Sequence, residues 1–192
     1  KVLSFLVLSC LTLTLVACGS SEKKTDNDDK TLVVGFDQNF PPFGFQDANG
    51  EYTGFDIELA KEAAKRMDME IVLQPIDWDA KDMELESGTI DCIWNGFTIN
   101  GREDQYTWTD AYMDNSQVVV VRADSGIETL ADLEGKIVEV QKESSAQSAI
   151  DDNEELKSTF GDYLQVADYN TAMMDLESGA VDAIAMDIFV DL

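Results

Sequence analysis

The sequence predicts an α/β protein of two lobes built on one plan. Three observations carry that reading. From Thr31 onward, β-branched runs alternate with stretches of helical period, the grammar of strand–helix–strand units. Met83-Glu-Leu-Glu-Ser-Gly-Thr-Ile-Asp-Cys-Ile returns as Met174-Asp-Leu-Glu-Ser-Gly-Ala-Val-Asp-Ala-Ile, with seven of eleven positions identical. Each copy reads as a helix, a glycine stop and a buried strand. Such units are frequent in α/β folds, but identities in register favour a duplicated plan. Third, the apolar run Ile90 to Trp94 delivers the chain into a loop, 94–110, that carries two glycines, Thr98 among its threonines, and one arginine.

Composition narrows the function classes. The chain has 192 residues, 44% of them hydrophobic, enough for one good core or two small ones. A formal net charge of −26 argues against nucleic acid and against docking on an anionic lipid surface through charge. The chain has no histidine, which removes the commonest general base and metal ligand. It begins with lysine rather than methionine, so its N-terminus is read as incomplete.

Residues 2–17 form an apolar run after a basic residue, too short and too near the terminus for a spanning helix. The run closes on Leu15-Val16-Ala17-Cys18, which resembles the lipobox of bacterial lipoprotein leaders. The resemblance implies a leader over 1–17, cleavage before Cys18 and diacylglycerol on its sulfur, so that Cys18 anchors the chain with palmitate-type acyl groups. Of the three cysteines, Cys10 would be discarded, Cys18 capped and Cys92 left as a lone strand thiol. Residues 19–30 hold no large apolar side chain and read, with Cys18, as a solvated tether over 18–30.

The first lobe, 31–121, opens with a strand at Thr31–Phe36. A loop follows from Asp37 to Phe45, then a turn at Asn49-Gly50. Ile57, Ala60, Ala64 and Met67 give a helix one apolar face. The oxygen-bearing residues Asp47, Asn49, Glu51, Thr53 and Glu58 mimic a calcium loop, but Tyr52 stands where its glycine is required. No metal and no cofactor are expected. A strand at Glu70–Leu73, a helix at Asp79–Ser87 and a strand at Ile90–Trp94 follow. Gln117–Val121 reads as a strand buried on both faces. The second lobe, 122–192, repeats the pattern with a helical turn at Leu130 closed by Gly135 and a strand at Lys136–Gln141. A helix at Ser144–Asp152, a strand at Tyr163–Ala167, a helix at Thr171–Ser178 and a strand at Ala180–Met186 complete it.

Two such lobes imply a crevice facing the strand ends, where small ligands bind. Gly96 permits close backbone approach, Thr98 offers a hydroxyl, and Arg102 presents a planar fork of donors suited to a carboxylate. On this segment alone, a surface ion pair with Glu103 or Asp104 is as good a reading as a ligand clamp. Ser144 and Ser145 open a helix of the second lobe, where free N–H groups favour an anion. Asp187 follows the last strand. One arginine, one helix N-terminus and one aspartate complement a zwitterion.

At this point the chain resembles the bacterial extracellular solute-binding protein family 3, the amino-acid-binding proteins of ATP-driven importers. The likeness spans 31–192 and rests on Val34-Gly-Phe-Asp-Gln-Asn-Phe-Pro-Pro-Phe-Gly-Phe, Gly54-Phe-Asp-Ile-Glu-Leu-Ala, Asn95-Gly-Phe-Thr-Ile with Arg102, Gly135-Lys-Ile-Val with Ser145, and Val181-Asp-Ala-Ile with Asp187. It implies a two-lobed, type II periplasmic-binding-protein-like fold and a non-enzymatic monomer. It also implies lipid anchoring through Cys18 at the outer face of the cell membrane and permease partners. Arg102 and Thr98 would hold the ligand α-carboxylate with the amide and hydroxyl of Ser145, and Asp187 the α-ammonium with the backbone at Gly96. Asp37, Phe40 and Trp78 match positions lining the side-chain pocket, and Gln141 one that edges it; Asn95 joins by adjacency. For Phe40 and Trp78 a core aromatic is the competing reading, and for Asp37 a turn carboxylate.

Three features depart from the family pattern. Thr98 and Arg102 are one residue closer than usual, Glu143 replaces a glycine, and the chain stops at Leu192, which is read as a fragment whose second lobe and return crossing are expected to continue beyond it. The expected ligand is a neutral polar amino acid. A dehydratase on the same scaffold, using Asp37, Glu143 or Asp187 as the proton-transfer group, and the sensor domain of a membrane receptor are the alternatives.

Overall fold

The computed structural model describes residues 30–190. The leader, Cys18 and the tether up to residue 29 lie outside the described residues, as do positions 191 and 192.

The first lobe starts with β1 (Thr31–Phe36), in which Val34 and Phe36 are fully buried. The stretch 37–45 that reads as a loop holds β2 (Asn39–Phe40) and the start of β3 (Gly44–Gln46), which with β4 (Tyr52–Thr53) across the Asn49-Gly50 turn make a small antiparallel meander. Its turn holds Gly50 at φ 82°. The Asp47 carboxylate accepts the backbone N–H groups of Asn49 (2.8 Å) and Glu51 (3.0 Å), the local bond that makes an Asx turn.

Helix α1 (Phe55–Arg66) follows. Its first N–H groups would be orphans, but Phe55 and Asp56 donate to the carbonyls of Pro42 (2.9 Å) and Phe43 (3.0 Å). That close seat explains Gly54, at φ 124°, where a Cβ would lie 2.3 Å from the Phe43 carbonyl oxygen. Acids in its first turn and bases in its last complement the helix dipole. Ile57, Ala60 and Ala64 are buried as the periodicity predicts, but Met67 is 52% exposed. The helix ends at Arg66, and Asp68 at φ 56° turns the chain away before Met67 can join the apolar face.

β5 (Glu70–Pro75) pairs in parallel with β1, and a 3-10 turn at Trp78–Ala80 runs into α2 (Lys81–Ser87). β6 spans only Cys92–Ile93, on the other side of β1, giving a parallel sheet in the order β5-β1-β6. It is shorter than Ile90–Trp94 because Asp91, not a strand neighbour, supplies the acceptor for the Val33 N–H.

The chain then crosses, without helix or strand, to β7 (Gln117–Val121). Next come a 3-10 turn at Leu130–Leu133, β8 (Ile137–Gln141), α3 (Ser145–Asp151), α4 (Glu154–Lys157), β9 (Asp162–Val166), α5 (Tyr169–Ser178) and β10 (Ala183–Asp187). These four strands form one sheet, β7-β10-β8-β9, with only the β7–β10 pair antiparallel. The short α4, capped by Asn153 accepting the Leu156 N–H (3.1 Å), is too brief to leave a periodic signal.

β7 thus pairs with β10 in the second sheet. An all-apolar run does not specify which sheet it joins. Val118 and Val120 pack against one apolar cluster, Val119 and Val121 against the other, so both faces are covered. Each remains only half-buried because β7 is an edge strand.

The repeat is reproduced bond for bond. Gly88 and Gly179 end α2 and α5 in the left-handed region, at φ 73° and 79°. Asp91 donates its N–H to the Val33 carbonyl (2.8 Å) and accepts the Val33 N–H on its carboxylate (2.8 Å). Asp182 does the same with Ile137, at 2.9 Å in both directions. Each aspartate clamps a neighbouring parallel strand, Asp91 at the third residue of β1 and Asp182 at the first of β8.

Replacing Asp182 with alanine leaves the Ile137 N–H without its acceptor and is expected to cost about 2 kcal/mol, read as a lowered urea midpoint. Glu139, facing inward from β8 with one carboxylate oxygen unpaired, is pushed up to about 7 by burial and then by Asp175. The folded chain therefore holds a proton that the unfolded chain has released above its ordinary 4.5. Stability from this group falls as pH rises through that window. Glu139→Gln should flatten the pH dependence of the melting temperature between pH 5 and pH 7, about the interval this titration spans.

Candidate functional site

The loop after β6 decides where Arg102 points. The Arg102 N–H donates to the Ile99 carbonyl (2.9 Å), and its own carbonyl accepts the Trp108 indole N–H (3.1 Å). These bonds turn the side chain inward, leaving it 9% exposed, with its guanidinium 5.2 Å from the centre of the Phe97 ring. Phe97 in turn meets Trp78, Tyr106 and Trp108 edge-on, with centroids 4.9–5.1 Å apart, the arrangement ring quadrupoles favour. Among the described residues Arg102 makes no ion pair with Glu103 or Asp104. That removes the surface reading.

Its donors go across the cleft instead. Nη1 donates to the Ser145 hydroxyl (2.7 Å) and Nη2 to the Glu143 carbonyl (2.9 Å), while Nη1 also leans on the Thr98 carbonyl (3.4 Å). The Trp78 indole N–H reaches the same Glu143 carbonyl (3.3 Å). Glu143 sits at φ 57°, a left-handed conformation that a glycine adopts freely and a glutamate does not. That turn aims its carbonyl at the two first-lobe donors. The Glu143 side chain is 60% exposed and faces Lys81, at 4.0 Å, rather than the Ser145 hydroxyl. The Ser144 hydroxyl caps α3 by accepting the Gln147 N–H (3.1 Å).

Asp187 is the last residue of β10 and 6% exposed. Its Oδ1 accepts from the Gln117 amide (2.6 Å) and from the Asn115 amide, and Asn115 also donates to the Thr98 hydroxyl (3.0 Å). Burial pushes the Asp187 carboxyl above the usual range, and Asn115, Gln117 and the Arg102 charge pull it back. Arg102 and Asp187 are therefore joined through one network by way of Thr98 and Asn115.

The remaining residues form a second crossing. Asp37 is 4% exposed; its carboxylate accepts the Asn39 N–H (2.8 Å) and the Gln141 amide of the second lobe (2.7 Å). Gln141 also donates to the Ala167 carbonyl (3.0 Å), and Asn95 accepts the Asp37 N–H (3.2 Å). Burial raises the Asp37 carboxyl, opposed by Asn39 and Gln141 and reinforced by Asp168 and Asp77. Phe40 stacks on Phe43 at 5.6 Å and tilts against Tyr169 of the second lobe at 6.0 Å. It joins a second-lobe apolar cluster with Ala172 and Met186. A Cβ on Gly96 would lie 2.8 Å from the Phe40 ring. The close approach expected at Gly96 is thus made by Phe40.

Of the eleven residues singled out from the sequence, Arg102, Trp78, Ser145, Asp37, Gln141 and Phe40 make contacts between the lobes, Thr98 and Asp187 are linked through Asn115, Gly96 packs on Phe40, and Asn95 and Ser144 bond within their own lobes. The sequence reading missed Lys81, Asn115, Gln117 and Tyr169, each a common surface type in its local context. The aromatic density of 94–108 was a signal for the rings around Arg102.

Comparison with known proteins places this arrangement. Residues 32–185 match the family described as bacterial extracellular solute-binding proteins, family 3. The arginine-binding extracellular protein ArtP of Bacillus subtilis (strain 168) is 37% identical over 142 residues, 73% of this chain and 55% of that protein. The L-cystine-binding protein TcyJ of Escherichia coli (strain K12) is 34% identical over 82% of this chain and 59% of its own length. The chain therefore spans less than two thirds of these relatives. A crystal structure of an ABC uptake transporter substrate binding protein from Streptococcus pneumoniae, with bound histidine, superposes with a TM-score of 0.81 at 36% identity, covering 85% of this chain and 68% of that one. These relatives are binding proteins of type II periplasmic architecture, and this chain belongs to the bacterial extracellular solute-binding proteins, family 3.

Proposed function

We propose that the chain is the substrate-binding component of an amino-acid importer of the ATP-driven class. It captures an amino acid between its lobes and presents it to a membrane permease, as a monomer held at the outer face of the cell membrane by lipid on Cys18. The observation that carries this reading is the buried Arg102 guanidinium, directed at Ser145 and the Glu143 carbonyl across the cleft and linked through Thr98 and Asn115 to Asp187. A ligand α-carboxylate would take Arg102, Thr98 and Ser145; its ammonium would take Asp187. Ser144, held as a helix cap, would support the turn rather than the ligand. Charge-assisted hydrogen bonds are worth about 1.5–3 kcal/mol each. Three or four, less ordering costs, reach the scale of micromolar binding, about −8 kcal/mol. Contacts to both lobes favour the closed arrangement by their difference between states.

The site supports binding over catalysis. Asp37 and Asp187 are each held by amide donors from neighbouring side chains, and the Glu143 carboxylate faces Lys81. None of the three stands as a free proton-transfer group.

For the ligand side chain, the sequence expectation is a neutral polar group. One observation favours a second reading: the side-chain end holds a buried carboxylate, Asp37, with Asp168 and Asp77 near enough to raise it further. A basic side chain would relieve that field, and the name of the B. subtilis relative agrees with it.

Isothermal titration of the purified chain with the twenty amino acids (about that many ligand chemistries bracket the pocket) and cystine tests both. Arg102→Ala should weaken the best ligand about a hundredfold or more, with circular dichroism unchanged; retained affinity would refute the clamp. Asp37→Asn separates the side-chain readings. It should weaken L-arginine at least tenfold, about 1.4 kcal/mol, if the ligand is basic, and leave L-glutamine and cystine unaffected.

A further inference from the structure

Lys81 is the first residue of α2 and 2% exposed. A buried ammonium requires compensation; the first lobe supplies Asp82 and Asp79, and the second lobe Glu143. Lys81 lies over the Trp78 ring at 5.2 Å. Its neighbour Asp82 is engaged by the Tyr106 hydroxyl, and Arg102 adds a like charge nearby. Burial pulls the Lys81 ammonium below its ordinary range, while Asp82, Glu143 and Asp79 push it back. The carboxylate that reaches it from the second lobe is Glu143, with Oε2 at 4.0 Å. Glu143 occupies the left-handed turn whose carbonyl already accepts Arg102 and Trp78. Three first-lobe side chains thus converge on one second-lobe residue, and only the Lys81 contact depends on its side chain.

We propose that Lys81 and Glu143 form a charge pair across the cleft that favours the closed arrangement, so that Lys81 is a positioning residue acting through the turn at Glu143. A glycine at 143 would keep the carbonyl contacts and lose this one; the glutamate accepts backbone strain and gains a counter-charge for a buried cation. Closure in this chain is therefore partly set by charge, independently of what occupies the cleft. From the proposed function the inference takes only that the lobes open and close.

The test reads closure directly, without ligand. Spin labels are placed at Met67→Cys and Met174→Cys, 52% and 61% exposed and one in each lobe, in a chain carrying Cys10→Ser, Cys18→Ser and Cys92→Ser. Electron–electron resonance then gives the ratio of short to long interlobe distances. Lys81→Met and Glu143→Gln should each lower that ratio about twofold to fivefold, and the double variant should fall no further than either. The exchanged pair, Lys81→Glu with Glu143→Lys, should recover much of the loss, and raised salt should shrink the difference between parent and single variants. A ligand-free chain that is wholly open, single variants matching the parent, or losses that add in full would overturn the proposal. Loss of amino-acid binding in the parent with the coupling intact sinks the importer reading alone. Amino-acid binding with no coupling sinks the latch alone.

Discussion

The structure depends on satisfying one buried guanidinium. The Arg102 guanidinium is buried against the Phe97 ring, which Trp78, Tyr106 and Trp108 surround, where an unpaired cation would be costly. Its fixed fork of donors is met by oxygen atoms from both lobes, and the second-lobe share comes from the turn between β8 and α3. Both lobes must be in register for those oxygens to reach it.

Around this polar centre the seam is divided by chemistry. One part is apolar, with Phe40 and Phe43 of the first lobe entering the cluster of Tyr169, Ala172 and Met186. Burying a phenylalanine side chain stabilises by about 1.5–3 kcal/mol, so this part holds the lobes without specifying a ligand. The other part is a run of amides and carboxylates: Gln141 donates to Asp37, Asn115 and Gln117 donate to Asp187, and Asn95 accepts the Asp37 backbone N–H. Each carboxylate is raised by burial and lowered by its amide donors.

The lobes share more than a topology. Asp91 and Asp182 clamp the adjacent parallel strand through the same reciprocal pair of bonds, and Gly88 and Gly179 end the preceding helices in the same conformation. The identities in the two repeat copies fall on those groups, so the resemblance between the copies has a physical cause. The first lobe differs in devoting its meander, β2 to β4, to seating α1 and presenting Asp37, Asn39 and Phe40 to the seam.

By itself the sequence determined most of the helices and strands and the two-lobed plan. Those depend on patterns local to a few residues: period, glycine stops, and isolated polar groups at strand ends. Only the tertiary structure decided which sheet takes β7, because an apolar valine run fits either. Only it showed that Gly96 makes room for Phe40 and that Lys81 meets Glu143, since those partners lie 56 and 62 positions away along the chain. It also placed Asn115 and Gln117 on Asp187. Amides of that kind are ordinary surface residues until a strand from elsewhere in the chain puts a carboxylate beside them.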